Sequence, residues 1–243
     1  TEAMKFALGE NPKRFHGLEQ SRMPWTRMGT AALLRETLFK AKNYSDKLKA
    51  AETDPSKAPE PDFVMDALVR VVRGEQRVRI HCHRQDDIMT AIRIAKEFGL
   101  DFTLEHATEG YKIKDVIAEN HITCVVGPLL LAPVKQEVWD LILENAGILT
   151  DAGVKVCLTA DTGSETQWLP YQAGLLARRG MSEENIIKGL TIYPAEVLNL
   201  DHRIGSLEVG KDADIAVFDG NPLSNMTLCR MTMIDGNVVH NTL

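Results

Sequence analysis

Three residues in this chain carry side chains able to hold a divalent ion and move a proton, and each closes an apolar, strand-like run. His81 follows Arg77-Val78-Arg79-Ile80, His106 follows Phe102-Thr103-Leu104-Glu105, and Asp161 follows Val156-Cys157-Leu158-Thr159-Ala160. Imidazole nitrogens and carboxylate oxygens are good donors for a borderline cation such as zinc. An ion held by them acidifies a water, and a carboxylate within reach takes the proton. His83 stands two residues beyond His81, so the two share a strand face only if the strand continues through both. Glu105, next to His106, is expected on the opposite face in a structural salt bridge or helix contact.

The elements that must position these residues alternate regularly. Strands are predicted over 4–8, 77–81, 102–106, 122–126 and 154–160. Helices are predicted over 26–50, with Thr26 as N-cap, and over 62–73, 85–98, 111–119, 135–145, 168–178, 182–189 and 194–198, with Pro194 near the first helical position. Residues 10–14 and 51–61 are expected to be surface connections. One helix between successive strands implies parallel pairing through right-handed crossovers. The fold class is therefore α/β, and a (β/α)8 barrel would gather the three strand ends on one face. About five of its eight strands, roughly the fourth to the eighth, are present.

After Leu200 the pattern changes. Ile215-Ala216-Val217-Phe218 and a hairpin turning at Asp235-Gly236 form a small β unit. The expected division is 1–200 as a partial barrel and 201–243 as strands of a small β-sandwich. Because the chain opens with Thr1, three residues before a core strand, earlier strands are expected to lie outside this sequence.

Composition narrows the class. Hydrophobic residues make up 44% and charged residues 26%, and the formal net charge is −6, which argues against a nucleic-acid surface. No apolar run approaches the roughly 20 residues of a membrane span. Cys82, Cys124, Cys157 and Cys229 lack CxxC spacing and read as reduced thiols of a cytoplasmic protein. His16, His121, His202 and His240 read as surface or satisfied core residues. Arg14, Arg27 and Arg84 are cations able to pair with a substrate carboxylate. No strand leads into a glycine-rich phosphate loop, which disfavours a nucleotide-binding sheet.

The segments Ile80-His81-Cys82-His83, Leu104-Glu105-His106-Ala107 and Leu158-Thr159-Ala160-Asp161-Thr162-Gly163 resemble the ends of strands five, six and eight in the amidohydrolase superfamily. The likeness is to its imidazolonepropionase-like and prolidase-like members. Pro194-Ala195-Glu196-Val197-Leu198 and the run from Ile204 to Asp219 resemble that superfamily's closing signature.

The resemblance implies hydrolysis of a C–N bond in a small amide, cyclic amide or dipeptide-like compound, with one or two zinc ions. It implies His81, His106 and Asp161 as ligands, with Asp161 also the general base. His83 and Arg84 would be second-shell or substrate contacts. Lys5 resembles a carboxylated, metal-bridging lysine of the prolidase-like members, with Glu10 as the alternative ligand. The family's first-strand His-x-His has no counterpart in this sequence. Two other readings stay open: a catalytically inactive barrel serving as a scaffold, and a deaminase of the same superfamily. A small-molecule substrate and a homo-oligomer are expected, with neither nucleic acid nor membrane as partner.

Overall fold

A computed structural model describes Glu2–Leu243; Thr1, on which the reading of a fragment start rests, lies outside the described residues. The chain divides into two compact units, Glu2–Ala107 and Thr108–Leu243.

In the first unit, strands β1 (Met4–Ala7), β2 (Val78–Cys82) and β3 (Phe102–His106) run parallel. Lys5 lies beside Arg79, Arg79 beside Thr103, and Cys82 beside His106. Val78, Ile80, Cys82 and Leu104 are buried to the last few per cent, as are Thr103 and Glu105. Both faces of β3 are thus covered, as in strands flanked by crossover helices.

The segment after β1 is helical rather than an open loop. A turn α1 (Glu10–Pro12) runs directly into a π-helical stretch over Lys13–Glu19. Pro12 has helical φ and ψ, so it fits the first turn, where no backbone N–H is required of it. Helix α2 (Arg27–Ala51) starts as expected, with Thr26 Oγ1 accepting from Gly29 N–H at 2.9 Å. Helix α3 (Phe63–Val72) is capped by Asp62, which accepts from Val64 and Met65. Helix α4 (Gln85–Phe98) ends at Gly99, whose φ of 65° fits a residue without Cβ. Arg27–Asp87 at 2.9 Å and Arg35–Glu97 at 2.6 Å tie α2 to α4.

In the second unit, α5 (Lys114–Glu119) precedes β4 (Cys124–Val126), which pairs in parallel with β5 (Val156–Leu158). Gly127 closes β4 with φ 143°, and a Cβ there would sit 1.8 Å from Thr159 O; only glycine fits. The helix expected over 135–145 is displaced. That stretch holds a short 3-10 turn at Gln136–Val138, and α6 spans Asn145–Asp151. Val138, Leu141 and Ile142 mimic helical spacing, but the polar groups between them are committed elsewhere. Glu137 is buried against Lys135, while Asp140 receives Tyr111 on its carbonyl and Lys112 on its carboxylate.

Helices α7 (Leu169–Arg178), α8 (Glu183–Leu190) and α9 (Ile192–Val197) follow. Ser182, expected as the first helical residue, instead caps α8, and α9 begins two residues before Pro194. Strands β6 (Ile215–Phe218), β7 (Cys229–Ile234) and β8 (Asn237–Asn241) form an antiparallel sheet. The Asp235-Gly236 turn has φ of 48° and 77°, the paired positive values of a hairpin turn matching strand twist. None of the four cysteines is in a disulfide. Among the described residues no helix is long and apolar enough to cross a membrane.

Candidate metal centre

The ends of β2 and β3 bring three histidines together. His81, His83 and His106 are 7%, 3% and 4% exposed. Their ring centroids lie 4.8 Å apart for His81–His83, 4.6 Å for His81–His106 and 4.7 Å for His83–His106, the last pair stacked at 14°. One ring nitrogen from each lies within 4.8 Å of the others.

Regular pleating alone would not give this cluster. In register, His81 lies beside Glu105 and Cys82 beside His106, so alternation would send His81 and His106 to opposite faces. The chain breaks the alternation at the strand end: φ is 72° at His106 and 43° at Ala107. Left-handed backbone at a residue with Cβ costs about 1–3 kcal/mol, and such strain concentrates at functional positions. Ala107 N–H still donates to Cys82 O at 3.0 Å, so the turn remains hydrogen-bonded to β2.

A buried brace lies one step back along the strands. Glu105 accepts Arg79 Nε at 3.1 Å and Nη2 at 2.5 Å, and Thr103 Oγ1 at 2.7 Å. The fork holds the carboxylate bidentately. The expected structural salt bridge of Glu105 is therefore this contact with Arg79. Asn11, from α1, donates its side-chain N–H to His81 Nε2 at 3.2 Å. That bond requires a lone pair on Nε2, and so places the proton of a neutral His81 on Nδ1.

The donor set suits a small, borderline cation. With Zn–N bonds of about 2.0–2.1 Å, tetrahedral ligand nitrogens lie about 3.3 Å apart. The observed separations, at most 4.8 Å, close to that by an inward shift of about 1 Å per ring.

Other candidates are placed as follows. Lys5 is exposed on β1, and Glu10 is partly buried on α1. Arg84 folds back on Asp86 at 2.9 Å, Arg14 faces Glu19 at 3.5 Å, and Arg27 holds Asp87. Asp161 belongs to the second unit. It is exposed, at φ 63°, with its backbone N–H on Thr159 Oγ1 at 3.2 Å. His121, His202 and His240 are exposed, while His16 is partly buried edge-on to Phe15. The contribution of Asn11 escaped sequence reading, since an Asn-Pro pair after a strand signals only a turn.

Residues 36–239 match the amidohydrolase family, and the chain belongs to it. The crystal structure of an amidohydrolase from Thermotoga maritima is 42% identical, with a TM-score of 0.93, covering 99% of this chain and 63% of that one. Its likeness identifies the strand–helix units as those of the amidohydrolase (β/α) barrel, followed by a small antiparallel sheet. The amidohydrolase tasK of Hapsidospora irregularis is 26% identical across 96% of this chain and 25% of its own length. An imidazolonepropionase of Bdellovibrio bacteriovorus is 46% identical over 79 residues, 30% of this chain and 18% of the relative. The chain thus spans less than two thirds of the length of each of these relatives.

Proposed function

We propose that the protein is a metal-dependent hydrolase cleaving the C–N bond of a small amide, cyclic amide or dipeptide-like compound. The observation that carries this reading is the convergence of His81, His83 and His106 at two strand ends, through a left-handed turn that regular strand geometry would not supply. Family membership and the imidazolonepropionase likeness support the C–N class.

His81 and His106 hold the ion, taken to be zinc, and His83 is the third imidazole available to it. Asp161 completes the set, with Lys5 (when carboxylated) or Glu10 as a further ligand if two ions bind. When bound, the ion supplies Lewis-acid polarisation of the scissile carbonyl and lowers the pKa of a water toward about 7. Asp161 accepts the proton of the attacking water and returns it to the leaving nitrogen. The Arg79–Glu105–Thr103 brace orients the imidazoles before substrate arrives, whereas Asn11 occupies the His81 Nε2 lone pair and must release it for that nitrogen to hold an ion. Arg84 lies one residue beyond His83, where a substrate carboxylate could displace Asp86 from its guanidinium.

The test is metal analysis of the intact protein with an amide and dipeptide hydrolysis screen in added divalent ions. One or two equivalents of zinc are expected. His106→Ala should lose the metal and with it more than about 10³-fold of activity. A folded wild-type protein that neither binds divalent ions nor hydrolyses any amide would sink the proposal.

A further inference from the structure

We infer that a cavity beside Asp161 receives the substituent on the leaving nitrogen, and that this substituent is a large apolar group, preferably an aromatic ring. The inference rests on the hydrolase reading above and narrows its substrate class to amides of aralkyl or bulky alkyl amines. The cavity has a volume of about 470 Å³, the size of a small-molecule pocket. Every residue lining it belongs to the second unit.

Its walls are carried by two loops that leave the joined C-terminal ends of β4 and β5, the end of the strands at which barrel sites are built. Thr159 N–H donates to Val126 O at 3.0 Å, and Gly127 lies so close to Thr159 O that no side chain fits between them. From this junction Leu130 stands three residues along one loop, within about 11 Å of Gly127 even at full extension. Asp161 stands two residues along the other, its N–H on Thr159 Oγ1. The second loop then tightens. Glu165 N–H at 3.2 Å and Thr166 Oγ1 at 2.9 Å both donate to Thr162 O. A turn closed in this way keeps the Glu165 Cα within about 11 Å of the Asp161 Cα. Trp168 N–H donates to Glu165 O at 2.9 Å, which carries the turn into α7. The cavity wall and the proposed base are therefore parts of one hydrogen-bonded loop.

The apolar lining selects the occupant. Trp168, Tyr171 and Leu175 take the i, i+3 and i+7 positions of one helix face, a stripe that normally packs against a core. Here Trp168 is 52% exposed and Tyr171 39%, and Leu130 on the other loop is 56% exposed. Single exposed apolar side chains are ordinary. Four that line one concavity mark a place for an apolar partner. The two aromatic rings lie 5.9 Å apart and tilted by 46°, so a flat ring can rest against both. The Glu165 carboxylate and the Asn225 amide also reach the lining; they offer acceptors and a donor together and select no charge. The side of the scissile bond follows from the base. Asp161 returns its proton to the leaving nitrogen, so the group next to Asp161 is the one that nitrogen bears.

Glycine N-benzylamide and glycine N-methylamide differ only in that group. The intact, zinc-loaded protein should hydrolyse the benzyl amide with a kcat/KM about tenfold or more above the methyl amide, the gain lying in KM. Trp168→Ala, at a half-exposed position that should leave folding intact, should bring the ratio to about one. Trp168→Phe keeps an aromatic face and should hold the ratio within about threefold of the wild type. N-benzylacetamide should compete with the substrate and quench indole fluorescence saturably, and Trp168→Phe should remove that quenching although Trp25 and Trp139 remain. Equal kcat/KM for the two amides, a folded Trp168→Ala protein with the full ratio, or N-benzylacetamide that binds without competing would overturn the inference while hydrolysis itself stands. If neither glycine amide is cleaved, binding decides. About tenfold tighter binding of N-benzylacetamide than of N-methylacetamide, lost in Trp168→Ala, upholds the cavity's preference, and equal binding overturns it. A protein that neither binds divalent ions nor cleaves any amide would instead bring down the hydrolase reading, a different result from any of these.

Discussion

The strand ends that carry the candidate ligands differ in what fixes them. At the ends of β2 and β3, His81, His83 and His106 are packed ring against ring, with buried Glu105 and Thr103 behind them. Beyond the end of β5, Asp161 is exposed, and its local support is a backbone bond to the Thr159 hydroxyl. Both ends turn through left-handed backbone, at His106 and at Asp161. In the first case dense packing stabilises that turn; in the second a hydroxyl and solvent do. The contrast teaches that burial can lock a ligand's geometry at the cost of tolerance, whereas an exposed acid stays free to exchange protons with water.

The largest expected effect tests the exposed end. Asp161→Asn removes the proposed base without disturbing a core. Activity should fall about 10²–10⁴-fold, while the urea unfolding free energy should move by no more than about 0.5 kcal/mol. Zinc content measured alongside shows whether Asp161 is also a ligand. If this variant loses stability as severely as one in the buried brace, the contrast between the two ends is wrong.

The next effect tests the buried end. Glu105→Gln keeps the shape but leaves Arg79 facing a neutral amide beneath the histidines. Arg79 is about one third exposed, so solvent screens part of the loss. The expected destabilisation is about 1–3 kcal/mol by urea titration, with zinc affinity weakened about 10- to 100-fold through the histidines' altered setting. Unchanged stability and affinity would show that the brace does not orient the site.

Much of this was legible in the sequence because the relevant signals are local. Strand ends at His81 and His106, the cap Thr26, the helix starts near Asp62 and Ser182, and the Asp235-Gly236 hairpin follow from alternation and from side chains that satisfy nearby backbone groups. The helix expected over 135–145 failed for a non-local reason: Asp140 and Glu137 serve Tyr111, Lys112 and Lys135 instead of a solvent-facing helix surface. The histidine cluster was only half legible. Residue types and strand ends marked His81 and His106, but alternation in register would separate them, and nothing in the letters announces left-handed backbone at His106 and Ala107. Asn11 was invisible because its partner lies 70 residues away.

The smallest effect lies at the edge of the second unit, where an exposed carboxylate has a fixed job in contrast to Asp161. Asp219 accepts from Leu228 N–H at 2.9 Å and from Arg230 Nε at 2.8 Å, bridging the end of β6 and the start of β7. The Leu228 N–H, with the Arg230 guanidinium adding to it, holds this carboxyl below the usual carboxylate range against the opposing effect of desolvation. A group whose folded pKa is depressed gives its full stabilisation above its unfolded value, about 3.9 for Asp, and loses it as pH falls through the lower folded value. Between pH 7 and about pH 5 the hairpin should therefore be insensitive to pH at this position. The Leu228 amide resonance, followed by NMR, should shift only at more acid pH, with an inflection below that of a free aspartate. In Asp219→Asn that inflection should vanish, with hydrolysis rates unaltered. An inflection at or above the ordinary aspartate value would mean that the carboxylate is not held in the hairpin, and that exposure alone sets how firmly acids in this unit are positioned.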